Sequence, residues 1–160
     1  MERALAIRQK ALGADHPDTA ISLNNLAFLY RTHGDLPAAR PLYERALAIR
    51  ENVLGSEHPD TATSLNNLAS LHQARGDLRA ARPLLKRAHC ICEKTFGPEH
   101  PDTAMSLNNL AGLLQDEGDL AAARPLFERA LTIYEKMLGP EHPDTATVRR
   151  NLAALRERGD

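Results

Sequence analysis

Tryptophan is absent from this chain, aromatic residues make up only 4% of it, and it holds two cysteines. A core short of large rings must be assembled from thin layers, and the abundant alanine and leucine suit helices that approach one another closely. Cys90 and Cys92 give no disulfide framework, so a reducing, cytoplasmic setting is expected. No charge of one sign dominates either. The formal net charge is −1 with acids and bases interspersed, which excludes the concentrated basic face of a nucleic-acid binder. No apolar run reaches the length of a membrane span. The opening MERALAIRQKALG is charged and amphipathic, unlike a secretory signal.

What the chain does have is repetition. HPDTA begins at His16, His58, His100 and His142, a step of 42 residues. SLNNLA recurs at 22–27, 64–69 and 106–111, and a GD pair follows in register at Gly34, Gly76 and Gly118. A period of this length marks an array of stacked supersecondary units, so one repeat array is expected over 1–160. Within it, 1–15 reads as the second helix of a truncated repeat. Full repeats follow at 16–57, 58–99 and 100–141, and 142–160 reads as a terminal first helix.

Each repeat reads as two antiparallel helices. Proline after the histidine makes His16 a boundary residue and Pro17 the first helical residue, with Asp18 in the first turn where its charge suits the helix dipole. Gly34 is the expected left-handed stop and Asp35 the N-cap of the second helix, which ends at Gly55. Pro41, Pro83 and Pro125 fall beyond the first turn of that second helix. Each removes one backbone bond and is expected to bend the helix.

The adjacent asparagines cost helix stability and call for compensation. With Leu26 set at zero and about 100° per residue, Ser22, Leu23, Ala27, Leu29 and Tyr30 form a buried stripe. Asn24 then falls nearly opposite and Asn25 on the flank. Asn24, Asn66 and Asn108 are therefore expected to point away from the core, beside Phe28 and Arg31. Asn25, Asn67 and Asn109 are expected near a seam with an adjacent helix. An amide offers both donor and acceptor, so a row of them suits a peptide backbone. The alternative is an asparagine ladder between neighbouring helices.

The recurring segment SLNNLAFLYRTHGDLPAARPLYERALAIRENVLGSEHPDTA and its two later copies resemble the tetratricopeptide repeat, in the 42-residue variety of kinesin light chains. The resemblance implies an all-α, right-handed superhelical solenoid of antiparallel helix pairs. It implies a scaffold in which first helices line a concave groove for an extended peptide or partner segment. The implied peptide contacts are Asn24, Asn66 and Asn108, with Asn25, Asn67 and Asn109 behind them. Arg31, Gln73, Gln115 and Asp116 are the other groove-side candidates, a mixed set rather than a basic one. The expected partner is a protein or peptide, not nucleic acid or membrane, and neither cofactor nor metal is expected.

The last copy departs from the pattern. VRRNLA at 148–153 puts Arg149 in place of the core leucine and Arg150 in place of the first asparagine, with Arg156 at the position of Tyr30. A solvated terminal helix is expected, with weak head-to-tail self-association through the unmatched ends.

Chemical motifs do not assemble. HPD also marks chaperone-stimulating J-domains, but its recurrence at every helix start favours capping. Histidines one repeat apart are too widely spaced for one ion, because packed helices sit about 8–10 Å apart. In HCIC, residues i and i+2 point to different faces, and Cys90 is read as an alanine-like packing position. No enzyme is expected. The alternatives to a peptide-binding scaffold are a regulatory sensor array within a larger signalling ATPase and a self-stacking architectural array.

Overall fold

The computed structural model describes residues 2–159, and side chains throughout that range except those of residues 2, 4, 156, 158 and 159. All its regular structure is helical: α1 (Glu2–Leu12), α2 (Pro17–Thr32), α3 (Leu36–Leu54), α4 (Pro59–Ala74), α5 (Leu78–Phe96), α6 (Pro101–Asp116), α7 (Leu120–Met137) and α8 (Pro143–Gly159). No described helix is long and apolar enough to cross a membrane.

The punctuation sits where local chemistry requires it. His16 is extended, and its Nδ1 accepts from the Asp18 backbone N–H at 3.1 Å, so an imidazole does the work usually given to aspartate or serine. His58, His100 and His142 repeat this at 3.1, 3.2 and 3.2 Å. After α2, the Asp35 N–H bonds the Tyr30 carbonyl and the Gly34 N–H that of Arg31, with Gly34 left-handed at φ 82°. This double closure satisfies the last carbonyls of α2. Asp35 then accepts from Ala38 N–H at 3.0 Å and starts α3.

Helices α3, α5 and α7 run unbroken through Pro41, Pro83 and Pro125. The carbonyls they orphan belong to Pro37, Arg79 and Ala121, all exposed residues, where solvent can take the place of the lost bond.

Packing divides the chain into two compact units, Met1–Leu84 and Leu85–Asp160. In the first, α2 packs against α1, α3 and α4. Ala20, Leu23, Ala46 and Ile49 make one layer, and Ala27, Ala39, Tyr43, Leu68 and Leu71 the next. Ala20, Ala27, Ala39 and Ala46 are wholly buried, the small residues at which helices come close. In the second unit α7 packs between α6 and α8, around Phe127, Tyr134, Leu107 and Leu155.

A polar clasp recurs beside these layers. Thr19, Thr61, Thr103 and Thr145, each fully buried, donate to the carbonyls of Gly13, Gly55, Gly97 and Gly139 at 2.8–2.9 Å. Each bond ties the start of a first helix to the turn preceding it. At Gly55 the backbone takes φ 98°, a region that side chains rarely enter.

Candidate functional site

Buried residues of α2 run through Thr19, Ala20, Ser22, Leu23, Asn24, Leu26 and Ala27. Centred on Leu23, that arc covers roughly 200° of the helix. The face left to solvent is the row Ile21, Asn25, Phe28 and Thr32, all exposed.

This arrangement corrects the expected roles of the two asparagines. Asn24 does not point away from the core: it is 6% exposed, and its amide donates to Ser64 Oγ of α4 at 3.2 Å. Its oxygen accepts from Asn67 at 3.4 Å, and Asn151 donates to Asn108 at 2.9 Å in the second unit. The ladder therefore pairs the first asparagine of one repeat with the second of the next. Asn25 is exposed rather than at a seam, whereas Asn67, its counterpart one repeat on, lies at the expected seam against Asn24 of α2. The physical reason is packing on three sides. A single stripe centred on Leu26 placed the centre of burial about 60° from where neighbours on both flanks put it.

Asn66 is the exception in the ladder. Both its amide atoms are buried and have no hydrogen-bond partner among the described residues. Asn109 is half-buried, as are Gln73 and Gln115, while Asp116 is exposed. Phe28 is 50% exposed, and the Arg31 guanidinium lies 5.3 Å from its ring centroid. Such stacking of a cation on an exposed ring contributes about 0.5–1 kcal/mol. Arg31 also bonds the Tyr43 hydroxyl, which offsets part of the upward pKa shift that burial imposes on that phenol.

A second set of polar residues, missed in the sequence, lies where each second helix meets the next first helix. Arg8 donates to Ser22 Oγ at 2.7 Å and to the Asp18 carbonyl at 3.3 Å. One repeat later Arg50, 6% exposed, makes the same bonds to Ser64 at 3.0 Å and Asp60 at 2.7 Å. Burial lowers the Arg50 pKa, partly opposed by the Asp60 charge. At the equivalent place on α5 stands Cys92, whose thiol burial pushes up to about 11. There His89 takes over the serine, its Nδ1 2.9 Å from Ser106 Oγ. The Ser106 proton goes to the Thr103 carbonyl at 2.7 Å, so Nδ1 of His89 carries the hydrogen. At the last position Tyr134 meets Val148 and the polar pair is gone. The signal was available, since AIR and SLNNLA keep a fixed separation in the first two copies.

Cys90, expected to pack like alanine, is exposed, and Cys92 is the buried member. Its register partner Ala48 is exposed too, so that position never faced the core. Arg149 is exposed and bonds Glu135 at 2.9 Å, while the side chain of Arg156 lies outside the described residues. Among the described residues no three metal-ligating side chains come together.

Burial lowers the pKa of His89, with Glu93 acting against that shift and Arg129 adding to it. A histidine depressed in the folded state contributes stability above its unfolded pKa of about 6.5, lost as pH falls toward the folded value. His89→Leu, which copies positions 47 and 131, is therefore expected to lose less thermal stability than the parent between pH 7 and 5. Parallel melting curves across that range would remove His89 from the acid response.

The tetratricopeptide repeat family profile matches residues 1–52, 34–94, 72–136 and 102–160. Among solved structures, a Podosopora anserina chain of nearly identical TPR-like repeats, named for a kinesin light chain, is 33% identical at TM-score 0.78, with 98% of this chain and 74% of that one covered. BtubC (BKLC) from P. vanneervenii is 28% identical at TM-score 0.83, and the match covers 98% of this chain and 62% of that protein. The Yersinia enterocolitica type III secretion translocator chaperone SycD shares the fold at 19% identity and TM-score 0.64, over 90% of this chain and 88% of its own. No curated protein matches. Helix pairs repeated every 42 residues, all-α throughout and matched along the whole length, leave one assignment: the chain belongs to the tetratricopeptide repeat family.

Proposed function

We propose that this protein is a non-catalytic interaction scaffold that holds an extended peptide or partner segment against the open face of its first helices. The observation that carries this reading is the exposed row Ile21–Asn25–Phe28 on α2, two large apolar side chains flanking a free-standing amide. Apolar anchors give a ligand its affinity, and an amide between them pairs with its backbone whatever the side chains are. Arg31 holds the Phe28 ring in place. Asn109 occupies the same register two repeats on, while Asn67 between them is taken up by its bond to Asn24. Of the first asparagines, Asn24 and Asn108 serve the ladder, which leaves Asn66 for a ligand. A peptide reaches its buried amide once the side chain turns outward, and nothing is sacrificed because the amide has no partner to lose.

Display selection of peptides on the folded chain, followed by titration, tests this. Phe28→Ala and Asn66→Ala are each expected to weaken the selected peptides about tenfold, or roughly 1.4 kcal/mol, with the melting temperature nearly unchanged. Full affinity in both variants would refute the assignment of the face. A large stability loss in Asn66→Ala with binding intact would make that residue structural.

A further inference from the structure

Where α5 gives way to α6, an open cavity of about 420 Å³ is lined by Phe96, Gly97, Pro98, Glu99, His100 and, from α7, Met137. That volume lies within the range of roughly 300–1,000 Å³ over which ligand sites fall. Its walls are held from two sides. The Phe96 and His100 rings stack with centroids 4.6 Å apart and planes 17° from parallel. Lys136 of α7 bonds Glu99 at 2.6 Å, and Arg129 bonds Glu93 at 2.7 Å and the Pro98 carbonyl at 3.4 Å. Two cations of α7 thus tie the turn to that helix.

The repeat pattern does not require these side chains. The Phe96 position holds Leu12, Leu54 and Leu138 in the other copies, and the Met137 position holds Val53 and Thr95. Leucine offers the capping histidine no ring to stack on. Phe96 is 36% exposed and Met137 50% exposed, so neither enlarged side chain fills the core. Two such residues meeting at the surface of one copy point to a use outside the fold.

The lining also says what fits. Glu99, the carboxylate in the wall, is already paired with Lys136, so a charged ligand has to break that pair to be matched. The complement is an uncharged apolar group. A ring face beside a thioether favours an aromatic one, through offset stacking on Phe96 and a sulfur–ring contact with Met137. His100 Nδ1 accepts the Asp102 N–H at 3.2 Å, which leaves the imidazole hydrogen on Nε2 as a donor. We propose that this cavity is a docking site for an aromatic residue of a partner protein. The ring lies against Phe96 and Met137, and His100 Nε2–H donates to a carbonyl of the same segment. The site contains no residue of α2 and does not rest on the reading of that helix.

The chain has no tryptophan, so the fluorescence of an acetylated, amidated Ala-Ala-Trp-Ala-Ala peptide reports its binding directly. Saturable binding is expected, with leucine-centred and lysine-centred versions competing at least fivefold more weakly. Phe96→Leu and Met137→Thr each copy another repeat, and are expected to keep the parent melting temperature while lowering affinity at least fivefold. His100→Asp keeps a helix-capping acceptor but removes the ring and its donor, and is expected to do the same. It keeps the test decisive should one of the other two melt early. Phe28→Ala, on α2, is expected to leave this binding unchanged. Absence of saturable binding, equal competition by the leucine peptide, or full affinity in the cavity variants would overturn the proposal. Loss of binding in Phe28→Ala alone would assign the ring to α2, which supports the scaffold reading and removes this one.

Discussion

Leu68→Ala is expected to destabilise the protein by about 2–5 kcal/mol, the range for deleting a leucine side chain from a core that cannot collapse around the gap. Leu68 is 6% exposed and sits in the layer with Ala27, Ala39, Tyr43 and Leu71. Three of its neighbours offer no flexible atoms to fill a void: two are alanines, and Tyr43 is held by its bond to Arg31. Repeat arrays sum local stabilities and nearest-neighbour terms. Hydrogen exchange should therefore lose protection first within Met1–Leu84, with amides of the other unit affected less. Chemical denaturation gives the magnitude, and Leu68→Met, which conserves volume, should cost less than about 1.5 kcal/mol. A uniform, single-step loss of protection through both units would contradict the additive picture.

Helix boundaries were legible because they depend on neighbours in sequence. A histidine before proline, a glycine that takes positive φ and an aspartate after it each act over a few residues, and each appears where the pattern put it. Asn24 and Asn25 were misplaced for the opposite reason, whereas Asn67 sits at the seam expected of it. Whether Asn24 or Asn25 faces a neighbour depends on how many helices surround α2, and a helical wheel knows nothing of that. Asn24 is buried because α4 lies beside it, a partner 40 residues away. The Arg50–Ser64 contact, 14 residues apart, escaped for a third reason. A buried arginine without a carboxylate breaks the expectation that charge stays at the surface, and only the structure shows the hydroxyl and carbonyl that receive it.

Those exchanged seams make a test by transplantation. Arg50→Cys puts the α5 residue into α3 and removes the donor to Ser64 Oγ and the Asp60 carbonyl, along with the packing of the arginine stem. Charge-assisted bonds of this kind contribute about 1.5–3 kcal/mol, and we expect a loss of about 2–3 kcal/mol in denaturant unfolding. Against that stands the cost of burying a guanidinium, which its lowered pKa reflects. On α5 the serine is satisfied by His89, three residues before Cys92. Adding Leu47→His to Arg50→Cys imports that solution, because position 47 matches position 89 one repeat on. The double variant is expected to recover about 1 kcal/mol over Arg50→Cys alone, the net value of one restored hydrogen bond. Leu47→His in the parent, where Arg50 already supplies Ser64, should only destabilise. The difference between the two backgrounds isolates the coupling. If Arg50→Cys proves neutral, desolvation cancels the bonds and the guanidinium holds no stability at this seam. If the histidine is equally harmful in both backgrounds, the serine has no need of a donor, and the exchange of partners between seams is not a structural compensation.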